Sequence, residues 1–130
     1  MEIQKEVKNW LDSAQYDMET ADHMFSSGRY IYTIFMCHLA VEKLLKAKIE
    51  EITGKTPPKT HNLRHLIKLS DIELAEDMFV FLSKLSDVSI PTRYPEDFKE
   101  LVKSYDGETA KIYLMRTKEA FQWIKNCIKL

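Results

Sequence analysis

The segment YIYTIFMCHLAVEKLLKAKIEEI, residues 30–52, determines the architecture of the chain. Its apolar side chains lie almost all round a helix, from Ile31 to Ile49, instead of forming one stripe. A helix that is apolar on most of its faces is covered by neighbours on more than one side. The segment therefore predicts a central helix, and Thr53 and Gly54 are expected to end it.

Apolar residues at helical spacing continue on both sides of this central helix. They predict long helices over about 2–27, 70–88 and 108–130, and short helices over 61–69 and 98–105. Thr60 is the predicted cap of the first short helix, and Ser70 to Glu73 reads as a capping box. Residues 90–96 hold two prolines and are expected to be irregular. The prediction is an all-α, up-and-down antiparallel bundle of four long helices plus one or two short ones, in a single domain over residues 1–130.

Composition excludes several classes of protein. Only 3 glycines and 4 prolines occur in 130 residues, too few for the frequent turns of an all-β fold. A net charge of −1 argues against a surface that is basic throughout and binds nucleic acid generally. Residues 55–70 nevertheless carry four basic side chains, two histidines and no acid, which predicts a local basic corner.

Cysteine use and the lack of long apolar runs indicate the compartment. Cys37 and Cys127 are too few for a disulfide framework and are expected to be buried free thiols in a reducing environment. No run of about 18 apolar residues is present, so no membrane span is expected. The start, MEIQKEVKNW, lacks the apolar run of a signal peptide. We therefore expect a cytoplasmic protein.

His38, Glu42 and Lys46 form the first candidate constellation. They are spaced four residues apart on the central helix, so they share one ridge. Glu42 lies about 40° from His38, which is in the middle of the apolar face, and a carboxylate buried there must be paired. The set is either a ligand or acid–base site, or a structural hydrogen-bond network inside the bundle or a dimer seam.

The segment KTPPKTHNLRHL, residues 55–66, is the second. Lys59, His61 and Arg64 surround the start of a predicted short helix, whose free N–H groups favour an anion. The segment is either a cradle for a phosphate or a capped loop with solvated lysines. His61 and His65 make half a zinc site, but no third ligand, HExxH or CxxC is present, so neither a metal nor another cofactor is predicted.

Arg93, Tyr94 and Pro95 form the third. An arginine beside an aromatic ring in a proline-held loop can grip a phosphate and stack on a base. The alternative is that Arg93 ties this loop to helix carbonyls or to an acid such as Glu42. If Arg93 and His61 lie close together, they are expected to form one anion site.

Several motifs together resemble the HEPN family (higher eukaryotes and prokaryotes nucleotide-binding domain), over nearly the whole chain. In chain order they are Ala14–Asp17 as AxxD, Ala21, Gly28-Arg29-Tyr30, CHLAVEKLLKA at 37–47, THNL at 60–63, RYP at 93–95 and a final amphipathic helix. The resemblance implies a helical bundle that typically dimerises. It also implies a partnership with a small nucleotidyltransferase, in pairs regarded as toxin–antitoxin or nucleotide-handling systems.

Many members of that family are ribonucleases that use Arg followed by His, with four to six residues between them, in a dimer cleft. This sequence departs from that pattern, since Arg29 and His38 have eight residues between them and no other pair fits. What carries over is the helix segment with Glu42, Lys43 and Lys46, together with His61 and Arg93-Tyr94. In the family these positions lie in stretches proposed to form a binding surface.

Two functions follow as hypotheses. The first is a non-catalytic HEPN-like module, a homodimer that binds a minimal nucleotidyltransferase and a nucleotide or RNA. The proposed binding residues are Lys59, His61, Arg64, Arg93 and Tyr94, and the proposed buried polar network or interface is His38, Glu42, Lys43 and Lys46. The alternative is a metal-independent ribonuclease toxin with an atypical site, in which His61 or His38 is the base and Arg93 stabilises the developing charge.

Overall fold

Six α-helices build the protein, and no strand occurs within residues 2–129. A computed structural model describes these residues, with side chains at 5–91 and 94–129. The helices are α1 (Glu2–Ser26), α2 (Tyr30–Thr53), α3 (Leu63–Ser70), α4 (Glu76–Arg93), α5 (Phe98–Ser104) and α6 (Gly107–Asn126). Four are long and two are short, which confirms the predicted all-α bundle.

Helix α2 is the centre of the bundle, as its apolar pattern predicts. It contacts each of the other five helices. Ile34, Leu44 and Leu45 are fully buried, and burial of one such side chain stabilises the fold by about 1.5–3 kcal/mol. Polar side chains that α2 carries are therefore placed between helices and must find partners there.

Several predicted helix boundaries are confirmed. Gly54 adopts the left-handed conformation at φ +69° and its N–H donates to the Glu50 carbonyl, which closes α2. Gly28, between α1 and α2, also has a positive φ of +77°. Asp106 caps α6, because its Oδ1 accepts the Thr109 N–H at 2.8 Å.

Two predicted caps in the middle of the chain are wrong. The cap of α3 is Asn62, whose Oδ1 accepts the His65 N–H, whereas the Thr60 hydroxyl accepts the Asn62 N–H in the preceding turn. Ser70 ends α3 instead of opening a helix. Asp71 adopts a left-handed conformation at φ +55° directly after it, so the capping box does not form.

Helix α4 extends further into the proline-containing segment 90–96 than predicted. Helix α4 continues through Pro91 to Arg93, so the expected irregular segment is wrong for its first four residues. Proline has no N–H to donate, but Pro91 lies only two residues before the end of α4, so few helical hydrogen bonds follow it. The Tyr94 N–H still donates to the Ile90 carbonyl at 2.9 Å.

The half of the bundle that contains α4, α5 and α6 is packed more openly. Helix α5 has no buried residue among those described. A groove of about 690 Å³ lies between α4 and α6. The start of α6 is nonetheless held close to α2, because a Cβ on Gly107 would lie 2.9 Å from the Tyr30 hydroxyl.

Candidate functional site

The candidate site is centred on the Glu42 carboxylate, in the middle of α2. This side chain is 4% exposed. Lys46 Nζ donates to Oε2 at 3.0 Å, one helical turn away, and His38 Nδ1 lies 3.6 Å from Oε1. The carboxylate is thus both buried and paired, as the helical spacing of His38, Glu42 and Lys46 predicts.

The loop after α2 brings His61 onto the same carboxylate. His61 Nδ1 lies 2.9 Å from Oε1 and 3.1 Å from Oε2 of Glu42. His38 Nε2 lies 3.0 Å from the His61 carbonyl oxygen and is the donor, since a carbonyl only accepts. The two histidines therefore fasten the loop to α2, one through its side chain and one through the loop backbone.

This arrangement directs His61 Nε2 towards solvent. The ionised carboxylate only accepts, so Nδ1 carries the hydrogen. The His61 side chain is 57% exposed, and no hydrogen bond between described residues reaches Nε2. Nε2 can donate to an anion when the ring is protonated and can take a proton when the ring is neutral.

The other residues of the basic segment have different surroundings. Lys59 is exposed. Arg64 donates to both carboxylate oxygens of Asp87 on α4, at 2.8 and 2.7 Å, and so has a structural partner. The first amides of α3 are also engaged, because the Leu63 N–H donates to the Ser86 hydroxyl and the His65 N–H to the Asn62 cap. The expectation of free amides at this helix end is therefore wrong in those two places.

The structure separates Lys43 from the other members of the predicted polar network. Lys43 Nζ lies 2.8 Å from Asp17 Oδ2 and donates to the Ser13 hydroxyl at 2.8 Å, both on α1. It stabilises the contact between α1 and α2, while Glu42 and Lys46 lie next to the His61 loop. His38, Glu42, Lys46 and His61 are thus the predicted residues that the fold brings together.

The arginine–tyrosine pair is only partly described. Arg93 is the last residue of α4, and its side chain lies outside the described residues. Tyr94 is 73% exposed and lines a groove with Pro91 and Glu100 at the junction of α4 and α5. Whether Arg93 reaches His61 therefore stays a prediction.

Sequence reasoning missed Trp10 and Glu50, which extend this row of polar side chains. Trp10 Nε1 donates to Glu50 Oε1 at 3.0 Å, and Lys46 Nζ lies 5.8 Å from the centre of the Trp10 ring. Glu50 follows Lys46 at the same four-residue spacing as the predicted triad. That spacing was the available signal, but nothing in the sequence places Trp10 opposite it.

Neither cysteine forms part of the site. Both are free thiols. Cys37 is buried and Cys127 half-buried, so the expected burial is complete only for Cys37. Burial raises the pKa of the Cys37 thiol to about 12. A thiol that stays protonated is a poor nucleophile. Among the described residues no group of three His, Cys, Asp or Glu side chains could hold a metal ion.

Comparison with known proteins identifies the fold. The model of the HEPN domain matches residues 7–127. The crystal structure of TT1696 from Thermus thermophilus is similar with a TM-score of 0.81 and 20% identity, over 95% of this chain and 98% of that one. ST0689, described as an archaeal HEPN homologue, is similar with a TM-score of 0.75 and 24% identity, over the same shares. No curated protein matches. Within residues 2–129, no helix combines the length and apolarity that crossing a membrane requires.

Proposed function

The chain belongs to the HEPN domain family, and from this premise we propose that it is a non-catalytic module that binds the phosphate group of a nucleotide at His61. The observation that carries the proposal is the exposed His61 imidazole, whose Nδ1 the buried Glu42 carboxylate holds at 2.9 Å. We further propose that the module is a homodimer and the partner of a minimal nucleotidyltransferase.

The fixed imidazole supports phosphate binding for an electrostatic reason. A ring held through Nδ1 presents Nε2 without losing rotamer freedom on binding, and a protonated ring donates a charge-assisted hydrogen bond. Lys55 and Lys59 are exposed on the same loop, and residues 55–70 contain no acid to compete with the phosphate. Lys59 and His61 therefore remain the proposed contacts, with Arg64 secondary because Asp87 already holds it.

Calorimetric titration with ATP tests this function. His61→Asn keeps a donor for Glu42 but removes Nε2, and we expect it to weaken binding by about 10- to 100-fold, the range of one charged hydrogen bond. His65→Asn is the matched control, because His65 is an exposed histidine four residues further on. Equal losses in the two variants, or no binding by the wild type, would refute the proposal.

Arg93 and Tyr94 belong to the same proposal as a second contact. Arg93→Ala should weaken ATP binding by about 10-fold or more if its guanidinium shares the phosphate with His61. Tyr94→Ala should have a smaller effect that varies little with the base, since stacking is tolerant of base identity. Unchanged affinity in Arg93→Ala would reassign this residue to a structural pairing, with Glu42 as the first candidate partner.

The groove between α4 and α6 supports the homodimer. Val80 and Ile112 line it and are 58% and 56% exposed. On α4, Glu76 precedes Val80 by four residues and Lys84 follows it by four. If two copies of α4 crossed antiparallel at Val80, the acid of each copy would face the lysine of the other, as a two-fold interface requires.

Size-exclusion chromatography with light scattering at micromolar concentration tests the dimer. Val80→Asp should give a monomer, because it places a charge at the centre of the apolar contact. Tyr16→Asp is the control, since Tyr16 is an exposed residue of α1 and lies outside the groove. A monomeric wild type would contradict the homodimer.

The nucleotidyltransferase partnership rests on the family resemblance, as does a role in a toxin–antitoxin-like or nucleotide-handling pair. Co-purification from the native host, together with the identity of the neighbouring gene, tests it. Recovery of a small nucleotidyltransferase that Val80→Asp still binds would also place the partner away from the α4–α6 groove. Its absence from the purified material would count against the partnership.

One observation favours a ribonuclease as the second candidate. Glu42 orients His61 as a carboxylate orients a catalytic histidine, with Nδ1 hydrogen-bonded and Nε2 exposed. Such a base could take the proton of an RNA 2′-hydroxyl, whose oxygen attacks the adjacent phosphorus to form a 2′,3′-cyclic phosphate, while the 5′-oxygen leaves and takes a proton from water. Incubation with RNA without added metal tests this. Cleavage that survives loss of both His38 and His61 would rule it out.

A further inference from the structure

A further groove, of about 280 Å³, lies between α1 and the end of α2. It is lined by Glu6, Asn9, Trp10, Ser13, Glu50 and Thr56. Glu50 is only 7% exposed, although it borders this groove. A carboxylate so nearly buried is costly unless hydrogen bonds and an opposite charge compensate it.

Within the described part of the chain, only one of the two Glu50 carboxylate oxygens accepts a hydrogen bond. Oε1 accepts the Trp10 indole N–H at 3.0 Å. Within the described part of the chain no hydrogen bond or ion pair reaches Oε2. Lys46, one helical turn before Glu50, is engaged with Glu42 at 3.0 Å, and Lys48 with Glu51 at 2.9 Å. The Glu50 carboxylate therefore has an oxygen at the groove that a cation from outside the chain can reach.

The remaining groups of the groove define the class of that cation. Glu6 supplies a second carboxylate and Trp10 an aromatic ring, while the Asn9 amide and the Thr56 hydroxyl supply acceptor oxygens. A guanidinium group is planar, carries five donors and stacks on aromatic faces, whereas an ammonium is a compact, strongly hydrated charge. We propose that this groove binds the guanidinium group of an arginine side chain presented by a partner protein.

The charge around the groove supports a basic partner. The six residues that line the groove include two acids, Glu6 and Glu50, and no base. Such a surface attracts a basic segment and raises the rate of its encounter. The ligand has the opposite charge to the phosphate proposed at His61, and His61 is not among the residues that line the groove. The two proposals can therefore fail independently.

Trp10 provides a direct readout, because the protein has only two tryptophans. In a Trp123→Phe background, Trp10 is the sole indole and its ring borders the groove. Titration with Nα-acetyl-arginine amide should change its emission saturably. The citrulline analogue has nearly the same shape without the charge and should cause no saturable change. A response to citrulline equal to that to arginine would overturn the proposal.

The variant Glu50→Gln tests how much the negative charge of Glu50 contributes to binding of the arginine amide. The glutamine keeps an oxygen acceptor for the Trp10 N–H but cannot pair with a cation, so arginine amide binding should weaken by about 10-fold or more. Glu73→Gln, at an exposed acid outside the groove, should leave binding unchanged. Circular dichroism melting checks that both variants fold. Unchanged affinity in Glu50→Gln would refute the site.

Two further ligands test the assignment to a protein arginine. Nα-acetyl-lysine amide should bind more weakly than the arginine amide, and equal affinity would overturn the choice of a guanidinium. Free arginine carries an additional α-ammonium and α-carboxylate that a peptide lacks. If free arginine bound more tightly than the capped form, the partner would be a small molecule and not a protein.

Discussion

The contact between α2 and the His61 loop differs from the groove between α4 and α6 in how many side chains have partners within the chain. Around Glu42, a buried carboxylate, a lysine and two imidazoles are joined by contacts of 2.9–3.6 Å. Along the α4–α6 groove, apolar side chains such as Val80 and Ile112 remain more than half exposed. The hydrogen bonds and ion pairs of the first region stabilise the fold itself, whereas the second region exposes apolar surface that a partner could cover.

The largest expected effect comes from removing the charge at the centre of the first region. Glu42→Ala would leave Lys46 and the two histidines around a cavity without their carboxylate. Breaking a buried charge pair in this way costs about 3–5 kcal/mol. Urea denaturation followed by circular dichroism measures the change in the free energy of unfolding.

Asp87→Ala is the matched control for that prediction. It breaks the ion pair with Arg64, whose two side chains are 42% and 65% exposed. Exposed pairs contribute about 0–1 kcal/mol, so the variant should remain close to the wild type. If Glu42→Ala and Asp87→Ala lost similar amounts of stability, the network around Glu42 would stabilise the fold no more than an exposed ion pair does.

A pair of valines compares the two regions with the same chemical change. Val41 on α2 is fully buried, whereas Val80 on α4 is 58% exposed. Val41→Ala should cost about 2 kcal/mol through lost burial and the cavity left behind. Val80→Ala should stay within about 0.5 kcal/mol at concentrations where the protein is monomeric. A loss in Val80→Ala that grows with protein concentration would locate a self-association interface there.

The sequence predicts the first region far better than the second. The four-residue spacing of His38, Glu42 and Lys46 follows from helix geometry, and the apolar pattern of α2 requires that they be buried. The contribution of His61 to that site is not local, since it depends on the path of the loop over residues 54–62. No periodicity in the sequence predicts that path.

Helix boundaries could also not be predicted from the sequence where several neighbouring residues are suited to cap the helix. Thr60, Asn62 and Ser70 all have side chains suited to capping, and only the packed position of α3 decides in favour of Asn62. The same holds for the α4–α6 groove, because exposed and buried apolar residues look alike in a helical pattern. Phe79 and Phe81 on α4 are both aromatic, yet only Phe81 is buried.

The smallest expected effect is a difference in how the stabilisation by two helix caps, one in each region, depends on pH. Asn62 caps α3 beside the Glu42 network, and Asp106 caps α6 in the more open half. Hydrogen bonds from Thr109, first from its backbone N–H and then from its side chain, hold the pKa of Asp106 below its ordinary value. The neutral Asn62 cap has no corresponding dependence on pH.

The sign of the pH effect follows from that lowered pKa. The stabilisation by ionised Asp106 is fully present above the unfolded-state pKa of about 3.9. It is lost as the pH falls through the lower folded-state pKa, because the protonated carboxyl is a weaker acceptor. Asp106→Asn keeps the cap but removes the charge, so its stability relative to the wild type should improve over that acidic window. Melting temperatures measured for both proteins from about pH 6 to about pH 2.5 check this. Parallel curves would mean that the cap on α6 acts through geometry alone, as Asn62 does on α3.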